Sequence, residues 1–300
     1  MRGHRDGFPG VRRAGHTLHA KMATSTQRIG IALGGGGVRG LAHVPLLEAL
    51  DELGVRPSRL AGTSIGAIIG AAYASGLSGR EMRELCLRHI VTRDDSLSDI
   101  IGKRDQLRIW LDAFGLERRR GGLVSADRMF GYLFEGLRVE RFEELEIPLS
   151  VVASDYWSSE EVVFERGELL PALRASSAFP GVFAPAEIDG RVLVDGGMVN
   201  NVPYDLLDDC DVVVAVDVAK SREPERHSKP GFIDAIVGAF DIMHEVEMTR
   251  RLELDPPDLY LHPEIGMIGA FDFTAIEDVF DQAAPAVEHF KVELGKLLET

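Results

Sequence analysis

The sequence predicts an α/β protein, a three-layer α/β/α sandwich with a mostly parallel central sheet. Three observations lead there. Short apolar runs alternate along the chain with longer stretches whose apolar residues recur at helical spacing, which is the pattern of β-α-β units. The run from Asp211 to Val218 is apolar between its acidic residues, as a strand covered on both faces should be. At 300 residues and 45% hydrophobic content, the chain can bury one large core. Strands are expected near 29–33, 58–62, 148–155, 161–165, 191–195, 211–218 and 258–262, with helices between them covering both faces.

Residues 1–28 are basic and glycine-rich and have no apolar signal region, so they read as a disordered tail without secretory character. The domain is expected over 29–300, with its core at 29–218 and C-terminal helices and one strand at 231–300. Met22 lies just ahead of the first strand and is a candidate start of translation. Ile29 to Leu33 reads as a short buried strand running into Gly34-Gly35-Gly36-Gly37-Val38-Arg39-Gly40, after which a helical pattern begins. Four consecutive glycines are costly to order, so a fold keeps them where side chains would obstruct something. Such a loop can turn several amides into one concavity and hold an anion, and Arg39 adds a positive charge. Gly35, Gly37 and Gly40 also satisfy the dinucleotide pattern G-x-G-x-x-G. That reading needs an acid about twenty residues on, at the end of a second strand. Leu60 and Ala61 stand there instead, while Glu48, Asp51 and Glu52 fall within the predicted helix, and no Gly-Lys-Ser/Thr follows to make a P-loop.

Next comes Gly62-Thr63-Ser64-Ile65-Gly66, placed between a short apolar run (Leu60, Ala61) and an Ala/Ile-rich helix expected to begin at Ser64. This is G-x-S-x-G in the strand-turn-helix context of a nucleophile elbow. The sharp turn lifts the serine hydroxyl above the sheet, and the helix aims its first amides and positive dipole end at any oxyanion formed there. A plain serine-capped helix start is the alternative.

A serine nucleophile needs a base. Of nine histidines, His262, after the strand-like Asp258 to Leu261, is the one placed as a late histidine in α/β-hydrolase order; His43 and His244 fall on helices as partly buried residues. Asp195 is the better candidate. It ends the strand-like Arg191 to Val194 and is followed by Gly196-Gly197, which leaves its carboxylate open to approach a hydroxyl, with burial raising its pKa toward that of a useful base. An ordinary Asp-Gly turn is the competing reading.

In the order Gly35-Gly36-Gly37-Val38-Arg39-Gly40, Gly62-Thr63-Ser64-Ile65-Gly66 and Asp195-Gly196-Gly197, the chain resembles the patatin-like phospholipase family. The similarity runs from about Ile29 to Val218, is nearest the short bacterial members, and has Gly34 where many eukaryotic members carry aspartate. Pro171 to Pro180 is similar to the family's Arg-Ala-Ser segment with its downstream proline, which lines the site. The resemblance implies a Ser64–Asp195 dyad without histidine, an oxyanion hole from Gly35, Gly36 and Gly37 with Arg39 and the amide of Ile65, and cleavage of fatty-acyl esters of phospholipids without a cofactor. Gly40, Gly62, Gly66, Gly196 and Gly197 would shape those motifs. Two other classes stay open: an acyltransferase or thioesterase using the same acyl-serine, and a non-enzymatic regulatory protein on the same fold.

Residues 92–124 break the rhythm with Asp94-Asp95, the apolar set Trp110, Phe114 and Leu116, and a basic end at Arg118 to Arg120; they read either as a lid or membrane-touching element or as an ordinary helical insertion. Ser221 to Pro230 reads as an exposed loop before a helix from Phe232 to Leu254, and a last helix from Thr274 to about Leu298 as a buttress. Cys86 and Cys210 are the only cysteines and H-E-x-x-H is absent, so neither a disulfide framework nor a metal site is expected, and a cytoplasmic setting is the simplest. The net charge of −15 argues against nucleic acid and against adsorption to anionic lipid, so any peripheral membrane contact would use a local apolar or arginine-bearing face.

Overall fold

A computed structural model describes residues 27–89, 137–219, 229, 231–266, 268–270, 272 and 275–299. The expected tail up to residue 26, the insertion at 92–124 and most of the loop at 221–230 lie outside the described residues. Residue 28 already belongs to the fold. The Arg28 amide donates to Asp211 Oδ2 at 2.7 Å, and its carbonyl accepts from the amides of Asp211 and Val212.

The elements run β1 (Ile29–Leu33), α1 (His43–Leu53), β2 (Arg59–Thr63), α2 (Ile65–Ala74), α3 (Gly79–His89), β3 (Leu149–Asp155), β4 (Glu161–Phe164), α4 (Leu169–Ser176), β5 (Ala186–Ile188), β6 (Arg191–Asp195), β7 (Val212–Val216), α5 (Phe232–Leu254), β8 (Leu259–Leu261) and α6 (Ile276–Leu298). The sheet order is β5-β6-β3-β2-β1-β7-β8, with β4 also on β3. From β3 to β8 every neighbour is parallel; β4, β5 and β6 pair antiparallel. The three-residue β5 has no counterpart among the expected strands: Ala-Glu-Ile is too short to show a period.

Side-chain alternation assigns the two faces. Ile29, Ile31 and Leu33 of β1, Leu60 of β2, and Val212, Val214 and Val216 of β7 enter one core together with α1, α2, α3 and α6. The opposite face carries small residues, Ala32, Ala61 and Ala215, which pack against Val202, Tyr204 and Leu207 and against Met248 of α5. Small residues let irregular backbone lie close to the sheet. A Cβ on Gly30 would stand 2.9 Å from Cys210 Sγ and 3.0 Å from Leu207 Cβ.

One register relation positions the site. On β3, β4 fills one edge over Val151–Ser154, and β2 runs along the other, ending with Thr63 opposite Val152. Strand β6 then joins, with Asp195 opposite Ala153. Since β4 already holds the far edge at Ala153 and Ser154, β6 continues along the edge where β2 stops. The two strands run toward each other and end at consecutive β3 residues, which brings Ser64 and Asp195 together.

Candidate active site

Ser64 lies between β2 and α2 with φ 55° and ψ −124°, a conformation that is strained for any residue with a side chain. It caps α2 from outside, so the helix begins at Ile65, one residue later than expected. The strain is held by close packing. A Cβ on Gly66 would stand 2.0 Å from the Leu33 carbonyl oxygen, so only glycine lets the start of α2 press against the end of β1. Gly62 and Gly40 are crowded in the same way, the first by Ala67 and the second by Ile65.

Asp195 is buried at 3% exposure. Its Oδ1 accepts from the Gly197 amide at 2.8 Å, and the Ser64 hydroxyl favours its charged form. Burial pushes the carboxyl up to about 6, against the pull of the Gly197 amide and the Ser64 hydroxyl. Gly196 turns the chain away from β2 in a space without room for a side chain, since a Cβ there would lie 2.2 Å from the Val152 carbonyl oxygen.

Rigid peptide planes orient the glycine loop. Across a trans peptide the carbonyl of one residue and the amide of the next point in opposite directions, so holding a carbonyl aims the following N–H. Three carbonyls in a row are held: Gly34 O by His43 Nε2 at 2.8 Å, Gly35 O by Asn201 Nδ2 at 3.2 Å, and Gly36 O by Arg39 Nε at 3.1 Å. Of the amides so aimed, that of Gly35 is used by the Asn201 carbonyl at 3.2 Å. Among the described residues the amides of Gly36 and Gly37 meet no acceptor, and both residues line a cavity with Ser64 and Asp195. Gly37 has φ +63°, and a Cβ on it would stand 2.1 Å from the Ala270 carbonyl oxygen.

His43 is completely buried and burial lowers its pKa to about 4, so it acts as a neutral donor to Gly34. Arg39 is 2% exposed, and its Nη2 lies 3.2 Å from Oδ1 of Asp241, itself 5% exposed. The positive charge expected beside the loop is therefore paired within the protein, and Arg39 serves to hold Gly36. His244 and His262 flank Asp217 at 2.9 and 3.8 Å, and neither lines the cavity. Burial raises the Asp217 pKa, but the hydrogen bond and charge of His244, the charge of His262 and the Ala219 amide outweigh it and bring the carboxyl down to about 2.

The cavity encloses about 460 Å³ including its opening to solvent. Its wall is largely apolar, with Phe179, Phe183, Val237, Phe240 and Ala270, and Ser64, Asp195, Asn201 and Ser177 line it as well. Sequence reasoning brought Ser64, Asp195, the glycines and Ile65 to one place, and Gly197 and Asn201 meet there too. It assigned no role to Asn201 or His43, and placed Ser177 only within the Pro171–Pro180 segment expected to line the site. Asn201 was legible only as a residue shortly after Asp195, and its tie to Gly35 joins residues 166 positions apart in the chain.

Comparison with known proteins gives the family of the chain. The family model described as patatin-like phospholipase matches residues 31–208. An uncharacterized NTE family protein of Mycobacterium tuberculosis is 31% identical over 236 residues, which are 76% of this chain and 61% of that protein. A patatin-like phospholipase domain-containing protein of Caenorhabditis elegans is 32% identical over 217 residues, 71% of this chain and 15% of that protein. The chain thus spans about three fifths of its mycobacterial relative. Among solved structures, VipD from Legionella pneumophila aligns over 90% of this chain and 68% of its own, at 14% identity and a TM-score of 0.47. With more than half of its length matched by the family model, glycine loop and elbow included, the chain belongs to the patatin-like phospholipase family.

Proposed function

We propose that this protein is a serine hydrolase that cleaves fatty-acyl ester bonds of lipids, of the phospholipase A or lysophospholipase type, with Ser64 as nucleophile and Asp195 as base. The observation that carries the reading is the pairing of a strained, half-buried serine hydroxyl with a buried carboxylate at the mouth of two acceptor-free glycine amides. Asp195 accepts the Ser64 proton as Oγ attacks the ester carbonyl. The tetrahedral oxyanion is met by the amides of Gly36, Gly37 and Ile65, at about 3 kcal/mol for each donor. Collapse expels the alcohol, which takes the proton back from Asp195, and water then repeats the sequence on the acyl-serine. The aromatic and aliphatic wall suits an acyl chain.

The reading includes peripheral contact with lipid through α5, and a cytoplasmic setting supported by two unpaired cysteines. Helix α5 turns Val237 and Phe240 into the cavity and leaves Ile242, Met243 and Val246 exposed on its outer side. A helix that is apolar toward both the pocket and solvent suits the boundary between a lipid surface and an acyl site. Among the described residues no helix is long and apolar enough to cross a membrane.

The test is labelling by a fluorophosphonate probe with mass-spectrometric mapping of the adduct. Attachment at Ser64, lost in Ser64→Ala and slowed at least a hundredfold in Asp195→Asn, is expected. A folded wild-type protein that takes up no label at Ser64 refutes the reading.

A further inference from the structure

Ser177 is 1% exposed, lines the cavity beside Ser64 and Asp195, and among the described residues its hydroxyl meets no hydrogen-bond partner. A buried hydroxyl left unpaired costs stability, so its persistence calls for an explanation. Its neighbours supply one. Ser176 Oγ accepts from the Ser64 amide at 2.8 Å, and the Ala178 carbonyl accepts from the Asp195 amide at 3.1 Å. Three consecutive residues therefore span the pair, the first holding the nucleophile's backbone and the third holding the base's. The residue between them, Ser177, lines the same cavity as Ser64 and Asp195, with its hydroxyl buried at the wall. The Ser177 backbone is itself fixed, its amide donating to the Leu173 carbonyl at the end of α4.

The needs of an ester at this point show what is missing. The carbonyl oxygen is served by glycine amides, and the proton moves between Ser64 and Asp195. The oxygen of the departing alcohol gathers negative charge as its bond to carbon breaks, and it has no fixed donor other than the proton arriving from Asp195. We propose that Ser177 is a further catalytic residue whose hydroxyl donates a hydrogen bond to the leaving-group oxygen. After the alcohol departs, the hydrolytic water occupies the same position by microscopic reversibility, and Ser177 Oγ contacts it there. Ser177 itself forms and breaks no covalent bond, and the one transferred proton still passes from Ser64 through Asp195 to the alcohol. The inference rests on the hydrolase reading above.

The experiment compares wild type, Ser177→Ala and Ser177→Cys in three assays: kcat/KM on an alkyl ester such as a monoacylglycerol, kcat/KM on a p-nitrophenyl ester of the same acid, and the rate of Ser64 labelling by a fluorophosphonate. A nitrophenolate departs without help, and fluoride loss from the probe involves no alcohol oxygen. The expected result is a loss of tenfold or more on the alkyl ester in both variants, less than threefold on the nitrophenyl ester, and labelling within twofold of wild type. Tm should be unchanged or higher in Ser177→Ala, because an unpaired buried hydroxyl has been removed. Equal losses in all three assays, a fall in Tm, or full activity on the alkyl ester would each overturn the proposal. Absence of wild-type labelling would refute the hydrolase reading itself, and this inference with it; normal labelling with an indifferent Ser177→Ala refutes the inference alone.

Discussion

In the proposed mechanism Asp195 acts as a base from a buried position, and the same burial sets both its working range and its cost. Because its pKa lies at about 6, the ionised form needed to take the Ser64 proton becomes dominant only above that pH. We expect kcat/KM to rise about tenfold per pH unit below 6 and to level off above about 7; a profile flat from pH 4.5 to 8 would rule out Asp195 as the base. The stability consequence has the opposite sign. A carboxyl whose folded pKa is raised above 3.8 contributes stability that is fully present below 3.8 and is lost as pH rises through about 6. Near pH 7.5 the buried charge costs the fold up to about 3 kcal/mol. Asp195→Asn should therefore be inactive yet melt higher than wild type at pH 7.5, with the difference closing toward pH 4. At this scale the residues of the candidate site were legible, since Ser64, Asp195 and the glycines carry local spacing signals. The supporting contacts were not. His43 reads as an ordinary helical residue, and nothing local in the sequence announces that its ring holds the Gly34 carbonyl.

Helix α5 was legible as an element, and its bounds match the expectation of Phe232 to Leu254. Its place over the cavity was not, because that follows from two buried polar ties to distant segments. Arg39–Asp241 joins it to the glycine loop, and His244–Asp217 joins it to the end of β7. Arg39→Ala would leave the Asp241 charge buried without its partner, at a cost of about 3–5 kcal/mol. The double variant Arg39→Met/Asp241→Leu should recover most of that stability while activity stays low, because Gly36 O has lost its holder; calorimetry beside a soluble-ester assay separates the two effects. The outer face of α5 yields a separate expectation. Met243→Glu with Val246→Glu should reduce co-sedimentation with zwitterionic vesicles at least fivefold and leave turnover of a soluble short-chain ester within twofold of wild type.

For the molecule as a whole, a net charge of −15 acts at long range, where no single contact decides the outcome. Binding to vesicles rich in anionic lipid should be weaker than to zwitterionic ones at low salt, and the gap should narrow as salt rises and the Debye length shrinks below about 10 Å. Stronger binding to anionic vesicles at low salt would point to a basic surface that the net charge conceals. The parallel half of the sheet was readable from strand-helix alternation, but the order of strands was not. Strand β6 lies beside β3 because β4 folds back onto β3's other edge, a choice made by pairing across the sheet and invisible in any local window.

That arrangement makes β3 a common ruler for the two reacting groups. The serine-bearing and aspartate-bearing strands are both indexed against neighbouring rungs of this one strand, Val152 and Ala153. Insertions or deletions between α3 and Leu149, or between Phe164 and Leu169, alter the route of the chain without altering the gap between alcohol and acid. Loss of one residue inside Leu149–Asp155 would shift both marks at once, so variation in length should be tolerated along the connections and refused along this single strand.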